Sequence, residues 1–404
     1  MARIVLGVAG GIAAYKACEV LRGLTENGHD VRVVPTESAL AFVGEPTWAA
    51  LSGHPVGADP MRDVHEVPHV RIGQDADLVV VVPSTANLMA KAATGLADDL
   101  LTNVLLTARC PVVMVPAMHT EMWDHPATAQ NVATLRERGV LVLEPAVGRL
   151  TGSDTGKGRL PEPTAILDVV DDVLERSADD TPILDLAGRR VVVSAGGTRE
   201  PLDPVRFLGN RSSGKQGYAL AAVAAARGAT VDLVAANVTL PTPAGVTVTP
   251  VSTAAELRDA VLALAPSADA VVMAAAVADF RPGELAPSKI KKDSGAPAVV
   301  LVPTDDVLAA LVDGRGPGQV VVGFAAETGD ADADWLQRGR EKLARKKCDL
   351  LVVNRVGDGL AFGTDTNAAV VLGDGVEVEV PLGPKRALAW AVWNLVRDRW
   401  VLDA

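Results

Sequence analysis

RIVLGVAGGIAAYKACEVLRGLTENGHDVRVV, residues 3–34, decides the reading of the fold. RIVLGV reads as a strand. GGIAAYKACEVLRGLTENG repeats its apolar positions at helical spacing and closes on Asn27-Gly28, a pair suited to the left-handed end of a helix. VRVV returns to a strand, so the stretch is a βαβ unit with a right-handed crossover.

Working outward, ADLVVVVPS (76–84) and PVVMVPAM (111–118) extend the parallel sheet, and KAATGLADDLLTNVLLTA (91–108) between them reads as one helix. Over residues 176–190 the pattern is lost. RVVVSAGG (190–197) then opens a second βαβ unit that closes at Arg227-Gly228 before TVDLVAA (230–236). Buried strands are expected at 268–280, 320–329 and 348–354, a hairpin around VVLGDGVEVEV (370–380), and a final helix over 386–400. This alternation predicts an α/β chain of two doubly wound Rossmann-like domains, 1–178 and 187–404 with a linker at 179–186. Sites are expected at the C-terminal ends of the strands.

Composition bounds the function. A chain of 404 residues suggests two or three domains of ~150 residues, and 49% hydrophobic content supplies their cores. A net charge of −12 removes any general attraction to nucleic acid or anionic membrane, so local basic clusters stand out. No stretch reaches ~18 uninterrupted apolar residues, and the N-terminus runs into an amphipathic helix with no cleavage site. A cytoplasmic protein is expected. Cys18, Cys110 and Cys348 are scattered, without a C-x-x-C pair, which argues for reduced thiols and against a cysteine-rich metal site.

In the first half the turn G-V-A-G-G is not G-x-G-x-x-G, and Glu37 is the one acid placed to bind a ribose, which weakens a dinucleotide reading. Hydroxyls at Thr36, Ser38, Ser84 and Thr85 follow strand ends and suit a mononucleotide phosphate, although each alone is more often a helix cap. His69 stands just upstream of a strand, where a lone histidine is more often structural. In the second half GNRSSGKQ (209–216) approaches the P-loop pattern G-x-x-x-x-G-K-[ST]. It fails at Gln216, which has no hydroxyl for magnesium, and at the prolines of TREPLDPVRFL, which separate it from the strand. Ser212 and Ser213 before an alanine-rich helix could hold an anion or merely cap the helix. Lys289, Lys291, Lys292, Lys342, Arg345 and Lys346 form basic clusters in an acidic chain, with Asp279 singled out beside them in AAAVADFRP. Lys342 and Lys346 share one helix face, as a polyphosphate grip or an ordinary solvated face would.

Residues 5–160 resemble the flavin-containing cysteine decarboxylases through GGIAAYK, HVRIG, PSTANLMAKAATGLADDLL and PAMHTEMW, the last matching the family's P-x-M-N-x-x-M-W. The resemblance implies FMN held by Gly10, Gly11, Ser38, Ser84, Thr85 and Ala86, a catalytic base at His69, and substrate contacts from His119 and Met122. Two positions depart from the family. His119 stands for its carboxylate-binding asparagine, and Gly152, in TGSDTGKGRL, stands for the cysteine of the substrate clamp.

Residues 187–375 are similar to phosphopantothenate-cysteine ligases through SAGGTREPLDPVRFLGNRSSGKQG, AAAVADFRP, KIKK, GFAAET and FGTDTN. The whole chain thus resembles the bifunctional decarboxylase–ligase family of coenzyme A biosynthesis. That resemblance implies catalytic roles for Asn210 and Lys289, substrate contacts from Arg206, Ala276, Asp279, Phe324, Lys342 and Lys346, and 4'-phosphopantothenate, L-cysteine and CTP with Mg2+ as reactants. It also implies a homo-oligomer in which trimers of one domain and dimers of the other combine as a dodecamer. A ligase whose flavin domain is impaired at Gly152 and His119 is the second reading, and a regulatory flavoprotein the third.

Overall fold

Runs of Val, Ile and Leu without polar alternation are the pattern of strands covered on both faces. The computed structural model of the chain arranges them so. It describes residues 1–56, 68–150, 154–178, 184–291, 299–327, 335–355 and 364–402. The chain divides into two compact units, Met1–Asp185 and Leu186–Ala404.

In the first unit β1 (Arg3–Val8), β2 (Asp30–Pro35), β3 (Leu78–Ser84), β4 (Val112–Pro116) and β5 (Leu141–Val142) form a parallel sheet in the order β2-β1-β3-β4-β5. Ile4, Leu6 and Val8 face one core with helices Ala14–Glu26 and Pro163–Ala178. Val5 and Ala9 face the other, with helices Ala86–Thr94 and Leu100–Thr107. A hairpin of β6 (Ala146–Arg149) and β7 (Thr155–Arg159) stands apart from the sheet.

The stretch 91–108 is two helices, not one. Gly95 ends the first in the left-handed conformation at φ 76°, and Asp99 and Thr102 open the second with a reciprocal capping box. Met89, Ala93, Leu101 and Val104 all pack in the same core, which is why one apolar period runs through the break.

The second unit contains β8 (Arg190–Gly196), β9 (Arg199–Pro201), β10 (Phe207–Gly209), β11 (Thr230–Ala236), β12 (Val246–Val251), β13 (Ala270–Met273), β14 (Phe280–Pro282), β15 (Leu301–Pro303), β16 (Val320–Glu327), β17 (Leu350–Arg355), β18 (Thr366–Gly373) and β19 (Val376–Pro384). Its main sheet has the order β12-β11-β8-β13-β16-β17-β18-β19, parallel as far as β17 and antiparallel beyond. TREPLDPVRFL, which reads as a plain interruption, carries the ribbon β9–β10, and β14–β15 is a second ribbon. The last helix, Lys385–Leu402, packs on Lys215–Ala226, where the fully buried Trp393 donates from Nε1 to the Leu220 carbonyl at 2.9 Å.

In both units the first strand lies inside the sheet, β1 between β2 and β3, β8 between β11 and β13. Winding reverses there, and the departing loops splay to leave a crevice at the C-terminal strand ends. Among the described residues no helix is long and apolar enough to cross a membrane.

Candidate active sites

At the reversal in the first unit the Ala9 N–H donates to the Pro83 carbonyl at 3.1 Å and draws the ends of β1 and β3 together. Beyond β1, a Cβ on Gly10 would lie 2.3 Å from Ser38 Oγ, so the glycine permits the segment after β2 to close over the turn. No side chain caps the helix that follows, Ala14–Glu26. Thr36 and Thr85 do act as caps, accepting from the N–H groups of Ala39 (3.2 Å) and Leu88 (3.3 Å). Ser38 sits 3.1 Å from the Thr36 hydroxyl, and Ala86 is the first residue of helix Ala86–Thr94. Ser84 differs from all of these. It is fully buried at the end of β3 and, among the described residues, its Oγ has no hydrogen-bond partner, a deficit of about 1–3 kcal/mol that a bound group could relieve. An unpartnered hydroxyl beside a glycine turn and a helix N-terminus fits the phosphate and polar ring edge of FMN.

His69 belongs to helix Pro68–Asp75, but its side chain lies outside the described residues, as does Gly152. His119 is exposed and precedes the short helix Thr120–Trp123 beyond β4. Met122 in that helix is also exposed. The β6–β7 hairpin lies on this segment. Met118 donates to the Gly158 carbonyl at 3.0 Å, and Cβ atoms on Gly156 and Gly158 would stand 2.2 Å from Thr120 Oγ1 and the Met118 carbonyl. Main-chain contact therefore demands glycine at 158, while Gly156 leaves room for the Thr120 side chain. Lys157, between the two glycines, pairs with Glu144 at 2.7 Å, and Glu144 also receives Arg136 at 2.8 Å. Burial pushes the Glu144 carboxyl up, but the two cations together outweigh it and hold the group below the usual range. The hairpin is thus tied to the segment after β4 by a backbone bond and to the stretch after β5 by charge.

In the second unit a cleft of about 490 Å³ opens at the corresponding reversal. β8 ends at Gly196, with φ 87° and an imagined Cβ only 2.0 Å from the Ala236 carbonyl, a turn that glycine alone takes without strain. Ala276 donates to Gly196 (2.8 Å), Thr198 to the Ala276 carbonyl (3.2 Å), and Ala278 to the buried Thr198 Oγ1 (2.9 Å), which lays the segment after β13 along the cleft. Asn210 Nδ2 donates to the Val277 carbonyl at 2.9 Å, so its amide is held in the wall beside Ala276 and Asp279.

The serines of GNRSSGKQ do not cap the helix. Ser212 Oγ accepts from the Gly214 N–H at 3.3 Å, and Gly214, at φ 76°, is an N-cap without a side-chain bond, so the helix N-terminus opens on the cleft. Gln216 ties two distant segments to this helix. Its Nε2 donates to the Lys385 carbonyl (3.0 Å) and its Oε1 accepts from Asn367 (3.2 Å).

Phe324, Lys342 and Lys346 line the same cleft. The two lysines are not a solvated face. Lys342 pairs with Glu327 at 3.3 Å and Lys346 with Asp306. Burial raises the Asp306 carboxyl, but the bonds from Lys346 and the Ala309 N–H prevail and its pKa is lowered. Arg206 and Lys289 do not line the cleft; Arg206 pairs with the buried Asp203, and Lys289 precedes Ile290, whose N–H that carboxylate accepts. That carboxylate pairs with Arg206 at 3.5 Å and accepts N–H groups from Val205 (2.8 Å), Arg206 (2.8 Å) and Ile290 (3.2 Å). Lys289 and Lys291 are exposed, and Lys292 lies outside the described residues. Among the described residues no group of three or more His, Cys, Asp or Glu side chains could hold a metal ion. Asn367, the last residue of FGTDTN, also lines the cleft, as do Asn354 and Lys385, which the sequence alone does not single out.

The chain matches the flavoprotein family over residues 1–175 and the DNA/pantothenate metabolism flavoprotein C-terminal domain family over residues 186–399. It is 61% identical over 395 residues to the coenzyme A biosynthesis bifunctional protein CoaBC of Mycolicibacterium smegmatis, covering 96% of this chain and 95% of that one. It is 41% identical over 394 residues to the CoaBC protein of Bacillus subtilis, covering 96% and 95%. Among solved structures, the C-terminal domain of a protein with the same name aligns at TM-score 0.45 and 33% identity, covering 53% of this chain and 97% of that one.

Proposed function

The chain belongs to the CoaBC family of bifunctional coenzyme A biosynthesis enzymes, with a flavoprotein decarboxylase domain and a ligase domain, and from that membership we propose how its two sites divide the chemistry. In the ligase the carboxylate of 4'-phosphopantothenate, a poor electrophile, is first joined to CMP from CTP, expelling pyrophosphate. The amine of L-cysteine then attacks the acyl carbon and CMP leaves. Ala276, Asp279, Phe324, Lys342 and Lys346 bind the nucleotide, and Mg2+ enters on its phosphates. Asn210 donates to the oxyanion that develops during amine attack; Lys289, from outside the described cleft lining, offsets the phosphate charge that grows as the cytidylate forms, and Arg206 binds substrate. The observation that carries this assignment is the Asn210 amide fixed in the cleft wall at the sheet reversal.

In the decarboxylase, Gly10, Gly11, Ser38, Ser84, Thr85 and Ala86 hold FMN, and the unpartnered Ser84 Oγ supports that placement. FMN held there would supply a two-electron acceptor that takes the cysteine thiol to a thioaldehyde, able to accept the electrons left by carbon dioxide, and would return the two electrons to the resulting enethiol, so that the cycle is redox-neutral. His69 removes a proton, and His119 donates to the substrate carboxylate in place of an asparagine. The working enzyme is a cytoplasmic homo-oligomer, a dodecamer in this proposal.

One purified sample tests the assignment: carbon dioxide release and CTP-dependent cysteine ligation should both occur. Ligation alone would indicate an impaired flavin domain, and neither activity a regulatory flavoprotein.

A further inference from the structure

The residue after β11 has a backbone that few side chains adopt. Asn237 stands at φ 53°, in the left-handed region that asparagine tolerates better than most because its short amide can bond locally. Here the amide bonds across the end of the sheet instead. Its Nδ2 donates to the Gly197 carbonyl at 3.0 Å, beyond β8, and to the Ser252 carbonyl at 2.9 Å, beyond β12, while its Oδ1 accepts from Ser252 Oγ at 3.1 Å. The Gly197 N–H donates to the Ala236 carbonyl at 3.1 Å, and the Asn237 N–H to the Val251 carbonyl at 3.1 Å. One residue thus joins the C-terminal ends of three adjacent strands. The same turn sets Val238 against both glycine turns of the cleft: imagined Cβ atoms on Gly196 and Gly214 would lie 2.5 and 2.6 Å from Val238 Cγ2.

Asn237 does not itself line the cleft. It reaches the cleft through Gly197, whose imagined Cβ would meet the Asn210 carbonyl at 2.5 Å and which pairs with Ala276 in an isolated parallel bridge. Asn210 and Ala276 both line the cleft. We propose that Asn237 is a positioning residue for ligation: by fixing the Gly197 carbonyl it fixes the main chain from which Asn210 presents its amide to the oxyanion. The inference rests on the ligase reading and on the role of Asn210 in amine attack. A displaced donor slows the step in which charge develops beside it and leaves the earlier nucleotide contacts intact.

The test is single-turnover ligation by the full chain carrying Asn237→Gly, with pyrophosphate and ligated product followed together. Glycine accepts the left-handed backbone, so this variant loses the amide and keeps the turn. Pyrophosphate should appear within about twofold of the wild-type rate and the KM for CTP should change by less than about twofold, while ligated product forms about tenfold or more slowly and acyl-cytidylate accumulates between them. Product at the wild-type rate overturns the inference. Equal slowing of both phases, or a KM for CTP raised beyond that range, also overturns it, because a merely loosened fold would give either. Asn237→Asp is the second variant, of the same shape but with an acceptor in place of the two donors. It should slow the same phase at least as much, and if Asn237→Gly does not fold, unchanged phases in Asn237→Asp overturn the inference by themselves. A wild-type chain that fails to ligate with CTP would instead remove the ligase reading, and this assignment with it.

Discussion

Asn210 and Lys289 are assigned to different steps, and their surroundings differ accordingly. Asn210 is fixed through Val277 in the cleft wall, whereas Lys289 is exposed on a segment pinned to Asp203 through the neighbouring Ile290. Asn210→Asp should therefore still release pyrophosphate and accumulate acyl-cytidylate, because an added negative charge opposes the oxyanion of amine attack. Lys289→Gln should fail earlier, with pyrophosphate release slowed by about a hundredfold or more, in the range seen when one electrostatic stabiliser is removed. A time course of pyrophosphate against ligated product, with the intermediate sought by mass spectrometry, checks both. Asn210→Asp ligating at the normal rate would exclude the role given to that amide. Ser84 makes the complementary point: its position after a strand is legible in the sequence, but that its hydroxyl lacks a partner is a property of the packed protein.

Among the elements, the β6–β7 hairpin has a sequence that a neighbour dictates closely. Gly158 has φ 150° and its imagined Cβ meets the Met118 carbonyl at 2.2 Å. Gly158→Ala thus faces both backbone strain and a clash with main chain, at a cost of about 1–3 kcal/mol, and should lift the hairpin from the His119 segment. Decarboxylation should fall by about tenfold or more, with FMN absorbance and ligation retained. A variant that decarboxylates normally would show that the hairpin does not need this contact. The stretch 91–108 reads as a single helix for a related reason. An apolar period reports which face is buried, and two helices packed in one core can share it across a glycine and a capping box.

For the whole molecule, every residue proposed to touch FMN precedes residue 90 and lies in the first unit. The fragment 1–185 should accordingly purify yellow, with flavin released on denaturation. A folded but colourless fragment would place part of the flavin site elsewhere.

The alternation of strands and helices is readable along the chain because apolar spacing is a local property, imposed by the geometry of each element on its own residues. The exclusion of a P-loop is equally local, since the prolines and Gln216 decide it within one stretch. What Gln216 does instead is not readable locally. Its partners Asn367 and Lys385 lie 151 and 169 residues away, and only the folded sheet and its last helix bring them to the cleft. The same is true of Lys385, which is ordinary in sequence and buried near Lys215 only in the folded chain. Sequence spacing determined the elements. Packing decided which side chains share a cleft, because hydrogen bonds and charges act over a few ångströms of space whatever the length of chain between them.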